Sequence, residues 1–271
     1  MAQGKELIKM INHIVTGPNE CAFWRLGQMG FVLKITNKTI YIDPFLSDDG
    51  LRIIPSVLKP EEVTNADIVI GTHDHGDHID YEAWKGIATA SPNAVFVCSA
   101  ALINNLSKEL NIPKNRFIGL DCENSINVCG ISIEGVPAAH ELIEYDQENH
   151  PIAVSAILQF NGITIYHAGD SCVYEGLIST LLKHSPVDIM FVPINGRDPE
   201  RYARDIIGNM TYQEATDLCG AVSPALAVPG HYDTHLFNLE NPQLFAQYIE
   251  RKYKDIQCDI KEIGEVTLYK K

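Results

Sequence analysis

The sequence predicts an α/β fold of four layers, αββα, with two mixed sheets packed face to face and helices on the outside. Strand-like runs joined by tight turns lie towards both ends of the chain, and strand–helix alternation fills the span between them. No dinucleotide fingerprint, P-loop or Gly-x-Ser-x-Gly elbow is present, which removes the usual nucleotide-binding and serine-hydrolase readings. A doubly wound parallel sheet is the alternative, and the many hairpins count against it.

Residues 22–26, 31–36 and 39–42 read as strands, the last two joined by the turn-prone Asn37-Lys38. Residues 67–71 form a short apolar strand, followed by a helix over 81–90 that stops before Ser91-Pro92. Residues 95–98 read as a strand and 101–110 as a helix. The pattern returns to sheet at 125–128, 131–136, 153–160 and 163–167, with Asn161-Gly162 as the hairpin turn between the last two. A helix over 175–184, a strand over 189–193 and a helix over 211–219 follow, with Thr211 as the N-cap of that helix. Strands at 225–229, 257–263 and 265–269 complete the sheets, with a helix over 242–252 among them.

No linker or low-complexity tract divides the 271 residues, so one domain over 1–271 is expected, with 45% hydrophobic residues to fill its core. Against 35 Asp and Glu there are 21 Lys and Arg, a net charge of −14 that disfavours nucleic acid and anionic membranes as partners. No export signal or membrane-length apolar run is seen, and the seven cysteines contain no Cys-x-x-Cys pair. A cytoplasmic protein is expected, with assembly into a homo-oligomer left open.

The segment Gly71-Thr72-His73-Asp74-His75-Gly76-Asp77-His78 carries the chemistry. It leaves a short strand, so His73 and His75 can point the same way while Asp77 and His78 turn back beyond Gly76. Packing gives no reason to gather three histidines and two aspartates in six residues, and burying them without a cation or a hydrogen-bond network is costly. Imidazole and carboxylate donors suit zinc, and also manganese or iron. Further ligands are expected at other strand ends: His140 beyond Val136, Asp170 in His167-Ala168-Gly169-Asp170-Ser171, and His231 in Val228-Pro229-Gly230-His231.

Taken together, His73-x-His75-x-Asp77-His78 with His140, Asp170 and His231 resembles the metallo-β-lactamase superfamily over essentially the whole chain. Within it, Phe23-Trp24-Arg25-Leu26-Gly27, Thr72–Asp80, Tyr166–Ser171 and Asn195–Pro199 resemble the L-ascorbate-6-phosphate lactonase-like group. The resemblance implies two divalent metal ions per chain, zinc or manganese. His73, His75 and His140 would hold one, Asp77, His78 and His231 the other, with Asp170 bridging. Two departures separate this chain from the lactonases: they carry aspartate where His140 stands, and they are longer.

Such a pair would share a hydroxide able to attack an ester carbonyl, with Asp77 orienting it and passing a proton to the leaving alkoxide. The expected substrate is a small anionic lactone or ester, such as a phosphorylated sugar lactone. Arg197 would grip its anion and Asn195 its hydroxyls. Asp43, at a strand end before Pro44, and His167 are expected to orient the ligands from behind. His13, His150, His184 and His235 read as ordinary residues, and Cys172 as a small buried one. A phosphodiesterase on the same fold is the first rival. A flavodiiron protein would show glutamate at the place of His75, and a non-catalytic metal module would have less reason to keep all seven ligands.

Overall fold

The computed structural model describes residues 2–122 and 124–271. In its first half, α1 (Gly4–His13) precedes β1 (Glu20–Gly27), β2 (Gly30–Ile35), β3 (Lys38–Ile42) and β4 (Ile68–Ile70). Then come α2 (Tyr81–Ala90), β5 (Val95–Ser99), α3 (Ile103–Leu110) and β6 (Phe117–Leu120). The second half runs through β7 (Ile126–Val128), β8 (Ile131–Pro137), β9 (Val154–Phe160), β10 (Ile163–His167), α4 (Leu177–Leu182) and β11 (Ile189–Pro193). It ends with α5 (Pro199–Tyr202), α6 (Tyr212–Val222), β12 (Leu226–Gly230), α7 (Pro242–Lys252), β13 (Gln257–Cys258) and β14 (Val266–Lys270).

Two seven-stranded sheets result, in the orders β14-β1-β2-β3-β4-β5-β6 and β13-β12-β11-β10-β9-β8-β7. Each is antiparallel on one side and parallel on the other, the change falling at β3 in the first sheet and at β10 in the second. This is the predicted αββα sandwich, because both faces of each sheet are covered. Phe23, Phe31, Leu33, Ile68, Leu158, Ile165 and Phe191 fill the space between the sheets. The other face of the first sheet sends Trp24, Val32, Tyr41 and Phe96 against α1, α2 and α3. The second sends Tyr166, Met190 and Ala227 against α4, α6 and α7. A strand buried on both faces reads as a continuous apolar run. The alternation in β1 therefore separates two cores, not core from solvent.

Several boundaries differ from the sequence reading. Helix α1 and strand β6 were not expected; α1 docks through only Leu7, Ile8 and Ile11, a thin apolar signal. The strand expected over 257–263 pairs only at Gln257 and Cys258 before the chain turns away. The helix expected over 175–184 shortens to Leu177–Leu182, entered from Gly176 in the left-handed region. Helix α6 begins where Thr211 caps it, in a capping box with Glu214. No helix among the described residues is long and apolar enough to cross a membrane.

Candidate metal centre

Where the two sheets meet at the C-terminal ends of β4, β10 and β12, the chain gathers its histidines and aspartates. Three overlapping groups have donor atoms within 4.8 Å of one another: His73, His75 and His140; His73, His78 and Asp170; and Asp77, His78 and His231. His73, His78, Asp170 and His231 are buried, while His75, Asp77 and His140 form the outer side. The seven residues expected as ligands from four separate segments therefore lie side by side.

Backbone geometry holds them there. His231 and Asp43 take positive φ angles of 58° and 45°, strained for residues with a Cβ and typical of sites where surrounding structure dictates the conformation. Gly169 also has φ 58°, and a Cβ there would lie 2.8 Å from Thr72 Cβ, so only glycine lets the Asp170 turn press onto the His73 loop.

Each ring is oriented from behind. Asp43 Oδ2 accepts from His78 Nδ1 at 2.8 Å and from Thr72 Oγ1 at 2.8 Å, while its Oδ1 accepts from the Thr72 backbone N–H. That turns His78 Nε2 towards Asp170 Oδ1, 3.2 Å away. His140 Nδ1 donates to the Gly208 carbonyl, which leaves Nε2 facing His75 Nδ1 at 3.3 Å. His167 donates through Nε2 to the Met29 carbonyl and accepts from the Gly169 N–H, fixing the turn that carries Asp170. Cys172 is buried, its thiol 3.8 Å from the same Gly208 carbonyl.

The cluster fits a cation better than it fits itself. His73 Nε2 and His140 Nε2 both point at His75 Nδ1, at 3.0 and 3.3 Å, where ring lone pairs repel unless a proton or a metal lies between them. His78 Nε2 and Asp170 Oδ1 are buried and neither makes a hydrogen bond. Protonation is polarised across the site. Burial and the neighbouring imidazoles hold His73 well below the usual histidine range, in the neutral form that binds metal. Burial would also lower His231, but Asp170 and Asp77 outweigh it and raise it to about 9. Burial alone would raise Asp170, yet His231 and His78 hold it well below the usual carboxylate range.

A family model described as "Beta-lactamase superfamily domain" matches residues 38–232. The chain belongs to the beta-lactamase superfamily. It is 30% identical over 245 residues to a UPF0173 metal-dependent hydrolase of Archaeoglobus fulgidus, covering 89% of this chain and 95% of that one. A UPF0173 metal-dependent hydrolase of Thermococcus kodakarensis is 30% identical over 84% of this chain and 91% of its own length. Among solved structures, Igni18, a metallo hydrolase of Ignicoccus hospitalis, superposes with a TM-score of 0.74 at 21% identity, over 93% of this chain and 99% of that one. An isothiocyanate hydrolase from Delia radicum gut bacteria gives 0.71 at 18% identity, over 92% and 100%. The protein is thus a metal-dependent hydrolase of this superfamily.

Above the hydrolase's cluster opens a cleft of about 620 Å³. Phe45, Tyr81, Ile206, Ile207 and Phe237 give it apolar walls, and Asp49, Asp74, Glu82 and Asp205 an acidic rim; no lysine or arginine lines it among the described residues. Arg197 and Asn195 are not in this lining. Arg197 forks onto both oxygens of Glu214 and donates to the Asn209 carbonyl. Its side chain packs over Gly208, where an added Cβ would lie 2.1 Å from Arg197 Cβ. It therefore braces the segment over 206–210, whose Gly208 carbonyl orients His140. Asn195 is buried against Asn209 and Asn238.

Two side chains beside the cluster escaped the sequence reading. His235 lines the cleft, paired through Nε2 with Asp49 at 2.8 Å and stacked on Phe237. Gln28, fully buried in the β1–β2 turn, reaches Asp77 Oδ2 at 2.8 Å. Neither belongs to a spaced motif. The one signal was that His235 lies four residues beyond the candidate ligand His231, in the same loop.

Proposed function

We propose that this hydrolase holds two divalent cations, zinc or manganese, and uses them to open a small lactone or ester. The observation that carries the reading is Asp170. Its Oδ1 faces His78 at 3.2 Å and its Oδ2 faces His231 at 3.1 Å, two nitrogens of one set, while Oδ2 also lies 3.8 Å from His140 of the other, so one carboxylate reaches both sets of ring nitrogens. His73, His75 and His140 would hold one cation, Asp77, His78 and His231 the other, with Asp170 shared. Bound there, such a pair supplies Lewis acidity at a carbonyl oxygen and a water acidic enough to attack it near neutral pH.

The chain's own groups set the rest. Asp43 and the Gly208 carbonyl fix the rings of His78 and His140, so little reorganisation is needed as the carbonyl is attacked. Asp77 lines the cleft and stays ionised, because His78 and His231 outweigh the burial that would raise it. In this reading it orients the attacking water and passes its proton to the leaving alkoxide.

The cleft also shapes the substrate. The phosphate of a molecule such as L-ascorbate 6-phosphate would meet Asp49, Asp74, Glu82 and Asp205 with no lysine or arginine among the described residues that line the cleft. The proposed substrate therefore carries negative charge only where the cations can face it, and lays an uncharged remainder against Phe45, Ile206 and Phe237. The test is to load the protein with zinc or manganese and assay an aliphatic lactone, a phosphorylated sugar lactone and bis(4-nitrophenyl) phosphate. Faster opening of the unphosphorylated lactone is expected. Phosphodiester turnover without lactone opening reverses the reading, and preference for the phosphorylated lactone removes the charge argument.

A further inference from the structure

Gln28 occupies an unusual position. It is fully buried, its φ is +48°, and its backbone is pinned on both sides. The N–H donates to Asp233 and Thr234, and the carbonyl accepts from the His231 N–H at 2.8 Å. All of its side-chain contacts fall on one atom: Nε2 lies 2.8 Å from Asp77 Oδ2, 3.3 Å from His235 Nδ1 and 3.5 Å from His231 Nε2. Oε1 is buried with no hydrogen-bond partner. An amide left to itself would turn to satisfy both atoms, so something holds this one in a single orientation.

The proton count identifies what holds it. Asp49 Oδ2 can only accept, so His235 Nε2 carries a proton, and in the neutral ring Nδ1 is then a lone pair. A lone pair at Nδ1 can be met only by a donor, which is the Gln28 amide N–H. The second amide hydrogen then goes to Asp77. With the other tautomer, His235 would donate from Nδ1, Gln28 would turn its carbonyl oxygen inward, and that oxygen would face the Asp77 carboxylate.

We infer that Asp49, His235 and Gln28 form a positioning relay in which the tautomer of His235 decides whether Gln28 offers Asp77 a hydrogen or a lone pair. The inference rests on Asp77 serving as a metal ligand, and it goes beyond that reading by assigning a role to three residues outside the ligand set. Donation to Asp77 Oδ2, the oxygen that also lies 3.3 Å from His231 Nε2 and 3.8 Å from His78 Nε2, fixes the carboxylate's rotation among those ring nitrogens. The relay also ties loop 47–52, at the mouth of the cleft, to the metal side of the site.

Asp49→Asn tests it with little change of shape. Asp49 Oδ1 accepts from the Leu51 and Arg52 N–H groups, so the asparagine keeps its oxygen there and presents its NH₂ to His235. The ring must then accept at Nε2 and carry its proton on Nδ1. Nitrogen-15 NMR of the metal-free protein is expected to show the Nε2–H tautomer of His235 in the parent and the Nδ1–H tautomer in the variant. Titration with Zn²⁺ alone is expected to show the weaker of two binding steps lowered about 10- to 100-fold by Asp49→Asn, the range seen for lost outer partners of a ligand. In a Gln28→Met background the same substitution should change nothing, because the amide that transmits it is gone. An Nδ1–H tautomer in the parent, unaltered Zn²⁺ binding in Asp49→Asn, or an equal loss in the Gln28→Met background overturns the relay. Asp77→Asn separates the two levels. If it binds Zn²⁺ like the parent, the ligand reading falls and the relay with it. If it loses a step that Asp49→Asn keeps, only the relay falls.

Discussion

In the first half of the chain, β1 to β3 pair as hairpins and β3 to β6 in parallel; in the second, β7 to β10 pair as hairpins and β10 to β13 in parallel. Two sheets of like construction feed one site from their strand ends. The first half delivers His73, His75, Asp77 and His78 from the single loop after β4. The second delivers one donor at a time, His140 after β8, Asp170 after β10 and His231 after β12. In the second half the loop equivalent to the one after β4 follows β11, and it holds Asn195 and Arg197, which bond to protein instead. The same topological position thus carries the candidate ligands in one sheet and a brace in the other. Position on the fold offers a site, and residue chemistry decides whether it is used.

The largest expected break in this asymmetry is at Asp170, the residue with oxygens facing nitrogens from both halves. Asp170→Ala should lower turnover by more than the roughly 100-fold typical of an outer partner and reduce metal content by elemental analysis. A variant that keeps its full metal content would show that the halves bind independently.

The pH dependence comes next. His231 is raised to about 9 and His78 well above its usual value, because Asp170 and Asp77 outweigh their burial. A raised histidine stabilises the metal-free fold fully below its unfolded value of 6.5, and that contribution is lost as pH rises through about 9. A cation must displace those same protons. Metal-free protein should therefore melt lower as pH climbs from 6.5 to 9, while metal affinity climbs. Calorimetry in two buffers of different ionisation enthalpy should register up to two protons released on loading at pH 7. Zero release would contradict the polarised site.

The smallest effect belongs to Arg197→Ala. Its pair with Glu214 is partly exposed, so about 1 kcal/mol or less of stability is at stake. Denaturant unfolding should detect that loss while KM barely moves. A large KM change with unchanged stability would return Arg197 to substrate binding.

These contrasts also explain what could be read before folding. Four candidate ligands in six residues announce themselves, since no packing requirement concentrates such groups. His140, Asp170 and His231 became legible only as a set, each following a strand and a small residue. The two-sheet architecture was visible in the hairpins and in Asn161-Gly162, but α1 and β6 were not, because a few apolar residues settle them. Gln28 and His235 were invisible for another reason. Their roles arise from contacts across 207 positions of sequence, which no local spacing encodes. Arg197 carried a chemically sound expectation, and Glu214, placed by the capping of α6, competes for the same guanidinium.

Because the donors come from both sheets, a cation seated among them is a staple across the open edge of the sandwich. At 100 times its dissociation constant it would add about 2.7 kcal/mol to a fold whose apolar interior closes the remaining sides. Scarcity of metal would then unzip the rim first and leave the interior intact, so the chain's lifetime in a cell would follow its ion supply as well as its amino-acid sequence.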